Sequence, residues 1–106
     1  MKLILGVSAC PMGVAHTYLA ADSIEEAGKD LGYQVKVETQ GASGIENKLS
    51  SDEIEKADLI VIASAVKLAG SDRFQGYEDK ILKIDLQSAI RKSKQLISER
   101  LAQVNQ

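Results

Sequence analysis

At 106 residues, 44% of them apolar and 26% charged, the chain has the composition of one ordinary globular domain with a single core. Its formal net charge of −2 offers no basic footprint for nucleic acid or an anionic membrane, which points to a neutral ligand or a protein partner. One cysteine excludes an internal disulfide, and one cysteine with one histidine cannot supply the four ligands of a zinc site, so no metal or other cofactor is expected.

The apolar start KLILGVSAC is too short to span a bilayer and shows no signal-peptide pattern, so the cytoplasm is the expected compartment. Residues 2–8 form a largely apolar run that suits a strand buried on both faces of a parallel sheet. From residue 14 to 31, Val14, Tyr18, Ala21, Ile24 and Leu31 recur at the spacing of an amphipathic helix, with Gly32 as its stop. Residues 33–39 alternate strictly, Tyr33, Val35, Val37 and Thr39 against Gln34, Lys36 and Glu38, which reads as a half-exposed edge strand. Gly41 and Gly44 mark a turn, and Ser50 with Glu53 has capping-box spacing for a short helix running to Ala57 and closed by Asp58.

Residues 59–65, LIVIASA, are the most apolar stretch and predict the central strand. A loop with Gly70 and Gly76 leads to a shorter strand over 80–84. A last helix over 86–104 sets Leu86, Ile90, Ser93, Ile97, Leu101 and Val104 on one stripe. The expected fold is therefore α/β, an open four-stranded parallel sheet with helices on both faces, and right-handed crossovers favour the strand order 2-1-3-4. No repeat or linker divides the chain, so residues 1–106 are expected to be one domain.

In such a sheet, ligands gather beyond the carboxyl ends of the strands where the winding reverses, here beside the first strand. Cys10 stands there. The run Cys10-Pro11-Met12-Gly13-Val14-Ala15-His16-Thr17 joins a buried strand to a helix, so backbone N–H groups from Met12 onward can converge on an anion before the helix N-terminus. Pro11 donates nothing but fixes the chain direction, and Gly13 permits tight turns. The positive end of the helix favours the thiolate, the nucleophilic form of Cys10. Most free cysteines are merely small buried hydrophobes, but this position, before a Pro and a Gly at a helix mouth, favours a functional thiol. His16 is either a solvent-facing residue of the first helical turn or an imidazolium that helps hold a dianion. Thr17 either donates to a phosphate oxygen or bonds locally to the backbone.

The spacing distinguishes two kinds of cysteine phosphate chemistry. A tyrosine-phosphatase loop places an Arg six residues after its Cys, where this chain has His16, and the small phosphatases add an Asp-Pro general acid, whereas Pro11 follows Cys10. An arsenate reductase would need further cysteines. Three readings stand at this point: a phosphoryl carrier, a small cysteine-dependent phosphatase and a non-enzymatic anion sensor.

Through CPMGVAHTYLAA (residues 10–21), VETQGASGIEN (37–47), residues 57–65 and Arg73-Phe74, the chain resembles the IIB component of the fructose family of the bacterial phosphoenolpyruvate-dependent sugar phosphotransferase system. The resemblance spans residues 2 to about 91. It implies that Cys10 accepts a phosphoryl group from a phosphohistidine of a IIA domain and passes it to a sugar, fructose or fructose-like, bound by the membrane component IIC. It also implies that Met12, Gly13, Val14, Ala15, His16 and Thr17 bind the phosphate, and that the domain works at the inner face of the membrane through IIC. After Arg73 the run Gln75-Gly76-Tyr77-Glu78-Asp79-Lys80 departs from the small residue, Gly, Lys and Pro usual in that family. Gln40, Gly41, Ser43 and Gly44, in the loop after the second strand, are candidates for the rim of the site, with turn chemistry as the ordinary alternative. Arg73 is read as a solvated surface charge that could reach the phosphate or a partner.

Overall fold

A computed structural model of the chain describes residues 2–10, 15–41, 44–64 and 68–104, the last without its side chain. Strand β1 (Leu3–Ala9) leads to helix α1 (Ala15–Asp30), β2 (Gln34–Gly41) and the short β3 (Gly44–Glu46). Helix α2 (Ser51–Lys56), β4 (Leu59–Ser64), two 3-10 turns (Ser71–Phe74 and Glu78–Lys80), β5 (Ile81–Ile84) and α3 (Leu86–Val104) complete the order.

The sheet runs β3-β2-β1-β4-β5. Its four long strands are parallel and have the expected 2-1-3-4 order, counted without β3. The fifth strand is a correction to the four expected. Gly44–Glu46 pairs antiparallel with the end of β2, so β2 is an edge only over its first half. All three residues of β3 are exposed, and it therefore adds no apolar burial to the core.

Strand β1 explains the two-sided packing. Ile4 lies under α1 and α3 in a cluster with Ile24, Val61 and Ile97. Its neighbour Leu5 points the other way, with Val7, into a second cluster with Leu49, Ile54, Ile60 and Phe74. Successive strand residues face opposite sides, so a strand covered on both must be apolar throughout, which is why residues 2–8 and 59–65 read as unbroken runs. At about 1.5–3 kcal/mol for each large aliphatic side chain fully buried, these two strands make a large contribution to the driving force for folding.

Local chemistry sets the helix positions. Ser50 accepts from the Glu53 N–H at 3.2 Å while the Glu53 carboxylate accepts from the Ser50 N–H at 2.8 Å, the reciprocal pair that starts α2. Ala57, not Asp58, caps its end; Asp58 instead ties β4 to the start of β1, exchanging bonds with both backbone groups of Leu3. Helix α1 presses close to β2 through Gly28, where a Cβ would stand 2.4 Å from Val35 Cγ2. Tyr18, expected on the core stripe, is instead 39% exposed and donates to Glu46 of β3 at 2.5 Å. Helix α3 is kinked at Lys92, and just upstream the Ser23 hydroxyl of α1 bonds the Ile90 carbonyl at 3.2 Å. A side chain entering the helical ladder is a recognised cause of such a kink. No described helix is long and apolar enough to cross a membrane.

Candidate functional site

The winding reverses at β1, where Ala9 is in register with Gln40 of β2 on one side and Ser64 of β4 on the other. Cys10 follows at once, partly exposed, at the carboxyl edge of the sheet. The base of its loop is tied: the buried Ser8 hydroxyl of β1 donates to the Thr17 carbonyl in the first turn of α1 at 2.8 Å. Strand end and helix start are thereby fixed to each other across the loop.

The start of α1 differs from that of α2. Helix α2 has its capping box and Asp52 and Glu53 in its first turn, so its own side chains meet its N–H groups and dipole. Helix α1 has no acidic residue there. Thr17 is completely buried, and its hydroxyl is the one buried side-chain polar atom among the described residues without a hydrogen-bond partner. An unmet buried hydroxyl costs about 1–3 kcal/mol, so it marks a place where a further acceptor would be favourable. Ala15 and His16 are exposed. Of the other expected phosphate-loop and rim residues, Met12, Gly13, Val14 and Ser43 lie outside the described residues. Gly41 and Gly44 pair with each other where β2 meets β3.

Arg73 is not a solvated surface charge. Its side chain is only 13% exposed, and it grips Glu38, which is fully buried, with two parallel bonds of 2.7 and 2.9 Å. Its remaining N–H groups go to the carbonyls of Gly70 at 2.8 Å, Leu49 at 2.9 Å and Ala69 at 3.4 Å. All five donors of a guanidinium are thus used, and none remains for a phosphate in this arrangement. Gly70 makes the fold-back possible: its φ is +69°, and a Cβ there would sit 3.2 Å from Arg73 Nε.

Glu38 is the residue that sequence reasoning missed. The alternation sets it with Gln34 and Lys36 on one side of a half-exposed strand, and at Glu38 that side is covered. Lys36 pairs with Glu53 of α2 at 2.9 Å, Glu38 with Arg73, and Gln40 with the backbone of Ala69, so three successive residues on one face each bind a different segment. Glu38 accepts four bonds, the other two being from the Leu49 N–H at 2.8 Å and Gln40 Nε2 at 2.6 Å. A sequence signal existed: two polar residues, Glu38 and Gln40, on one strand face beside the switch point, with an Arg soon after the strand on the far side.

Burial pushes the Glu38 carboxyl up, but bonds from Arg73, Gln40 and the Leu49 N–H, with the Arg73 charge, outweigh it and hold the group below its ordinary value of 4.5. A carboxyl lowered in the folded state stabilises that state fully above its unfolded value. The stabilisation is lost as pH falls through the folded value. Urea midpoints should therefore be flat from neutral pH down to about the ordinary glutamate range and decline below it. In the Glu38→Gln variant, the acid limb should be shallower.

A cavity of about 710 Å³ opens over β4 and β5, lined by Ile62, Ser64, Leu68, Phe74, Ile81 and Lys83 among others. Cys10 does not line it.

The chain matches the family described as "PTS system, Lactose/Cellobiose specific IIB subunit" over residues 5–99. It is 42% identical over 96 residues to a fructose-like PTS system EIIBC component of Escherichia coli K12, covering 91% of this chain and 20% of that protein. To the PTS system fructose-like EIIB component 2 of the same strain it is 37% identical over 99 residues, covering 93% of this chain and 92% of that one. The chain thus spans about a fifth of the first relative and nearly all of the second. Among solved structures, a domain of the fructose-specific IIABC component from Borrelia burgdorferi superposes with a TM-score of 0.86 at 40% identity, covering 95% of this chain and 94% of that one.

Proposed function

Since the chain belongs to the IIB family of the sugar phosphotransferase systems, we propose that it carries a phosphoryl group on Cys10 between a phosphohistidine of a IIA domain and a sugar, fructose or fructose-like, held by a membrane IIC component. The observation that carries this reading is the place of the single cysteine: at the switch-point end of β1, ahead of a helix whose first turn has no acid and a buried, unpartnered hydroxyl at Thr17.

In the first step the Cys10 thiolate attacks phosphorus, the S–P bond forms, the P–N bond breaks, and the histidine nitrogen keeps the electron pair. In the second, a sugar hydroxyl attacks phosphorus and gives its proton to water, the S–P bond breaks, and the sulfur leaves with the electron pair as the thiolate. Charge in both transition states spreads over the three equatorial oxygens. Backbone N–H groups of the residue 12–17 loop and the Thr17 hydroxyl are the donors proposed to meet it. The work is cytoplasmic, at the inner face of the membrane where IIC presents the sugar. One domain over residues 1–106 suffices for it.

The carrier is preferred to a phosphatase because the loop lacks a guanidinium. His16 stands in the Arg position, and Arg73, the arginine nearest in sequence to the end of β4, has all its donors engaged. The phosphocysteine should therefore wait for its acceptor. Incubation with a phosphorylated IIA domain should protect Cys10 from iodoacetamide, and p-nitrophenyl phosphate should be turned over negligibly. Robust Cys10-dependent release of nitrophenol would establish the phosphatase instead. Equal alkylation before and after transfer would remove the carrier.

A further inference from the structure

We propose that Gln40 is a positioning residue for phosphoryl transfer, acting by clamping the backbone of Ala69 so that Ala69 and Gly70 stand as a fixed wall at the sheet edge where Cys10 lies. This rests on Cys10 being the phosphoryl-carrying residue.

The geometry begins with register. Ala9, Gln40 and Ser64 are neighbours on three adjacent strands, so their side chains share the α2 face at the carboxyl edge. The chain leaves β4 at Ser64, on one flank of Ala9. It is captured at Ala69 by Gln40, which belongs to the other flank. Gln40 Oε1 accepts from the Ala69 N–H at 2.9 Å, and Nε2 donates to the Ala69 carbonyl at 3.0 Å. One side-chain amide thus takes both polar groups of one residue, as a neighbouring strand would. Ala69 is therefore held by β2, on the other side of β1 from the strand end at Ser64.

The clamp is itself oriented. The second Nε2 hydrogen goes to Glu38 at 2.6 Å, which fixes which end of the amide is the donor, and Glu38 is set in turn by the two-pronged Arg73. Gln40 is 9% exposed, and so is shielded from water that would compete for these bonds. Arg73 also bonds Gly70 and Ala69, so the same short segment is gripped twice. A wall placed this tightly limits where a phosphoryl group on Cys10 can sit, and misplacing reacting groups by about 1 Å can cost on the order of 100-fold in rate.

Gln40→Met keeps the length of the side chain and removes every bond to Ala69 and Glu38. After circular dichroism has confirmed its fold, two quantities are read against the wild type: phosphorylation of Cys10 over a range of phosphorylated-IIA concentrations, and the rate of iodoacetamide alkylation of the unphosphorylated thiol at fixed pH. The expected result is a maximal transfer rate lower by about tenfold or more at an unchanged half-saturating donor concentration, with faster alkylation. Should the Met variant not fold, Gln40→Glu gives the same comparison: its ionised carboxylate cannot donate to Ala69 or Glu38, and its protonated form regains one donor. Its transfer rate relative to the wild type should recover as pH falls. Wild-type transfer and alkylation rates in a folded variant would overturn the clamp. A wild type that takes no phosphoryl group on Cys10 would overturn the carrier itself, and the alkylation rates would then judge the clamp alone.

Discussion

Replacing Cys10 by Ser is expected to abolish phosphoryl acceptance and leave the fold intact. A thiol is intrinsically the better nucleophile, whereas a serine hydroxyl needs a general base to become one. No Asp or Glu lies in the loop or in the first turn of α1, and His16 is exposed. The loss should therefore be complete within detection. Stability should change little, since Cys10 belongs to neither buried cluster, and substitutions outside a core commonly stay within about 0.5 kcal/mol. Labelled transfer from a phosphorylated IIA domain and thermal unfolding, measured on the same preparation, check both halves. Undiminished labelling of the Ser variant would remove Cys10 from the chemistry.

The largest effect on stability is expected from Arg73→Ala. Glu38 is fully buried, and the change removes two of its four hydrogen bonds and its counter-charge while leaving the carboxylate in place. Breaking one side of a buried pair costs about 3–5 kcal/mol, against a total stability of about 5–15 kcal/mol for a domain. The variant should sit near the edge of unfolding at room temperature. Because the penalty comes from the abandoned charge, the double variant Glu38→Leu with Arg73→Met should regain much of the loss, as apolar replacements of buried ion pairs often do. Urea denaturation of the wild type, the single variant and the double variant gives the comparison. A loss below about 1 kcal/mol in Arg73→Ala would mean that water reaches the pair and that it behaves as a surface contact.

These two residues also show where the sequence is legible. Cys10 could be placed at the switch point because β1 and β4 announce themselves as unbroken apolar runs and the crossover rule leaves few strand orders. The capping box of α2 is local, three residues apart, and was legible for the same reason. Glu38 and Arg73 are 35 residues apart in sequence and are brought together only by the tertiary fold. Alternation groups Glu38 with Lys36 on one side of β2 but does not say what covers that side. A charge paired by tertiary contact looks the same in sequence as one paired by water. Strand β3 was missed because three exposed residues carry no periodicity, and its pairing is set by the end of β2. The kink of α3 was hidden likewise, since the Ser23 hydroxyl beside it comes from another helix.

The most direct measurement is the intact mass of the protein after incubation with phosphorylated IIA, followed by peptide mapping of the modified form. The account predicts one added phosphoryl group, located on the peptide containing Cys10 and assigned to its sulfur by fragmentation, with no addition to the Cys10→Ser variant. A phosphoryl group on His16, or no addition to a folded wild type, would contradict it.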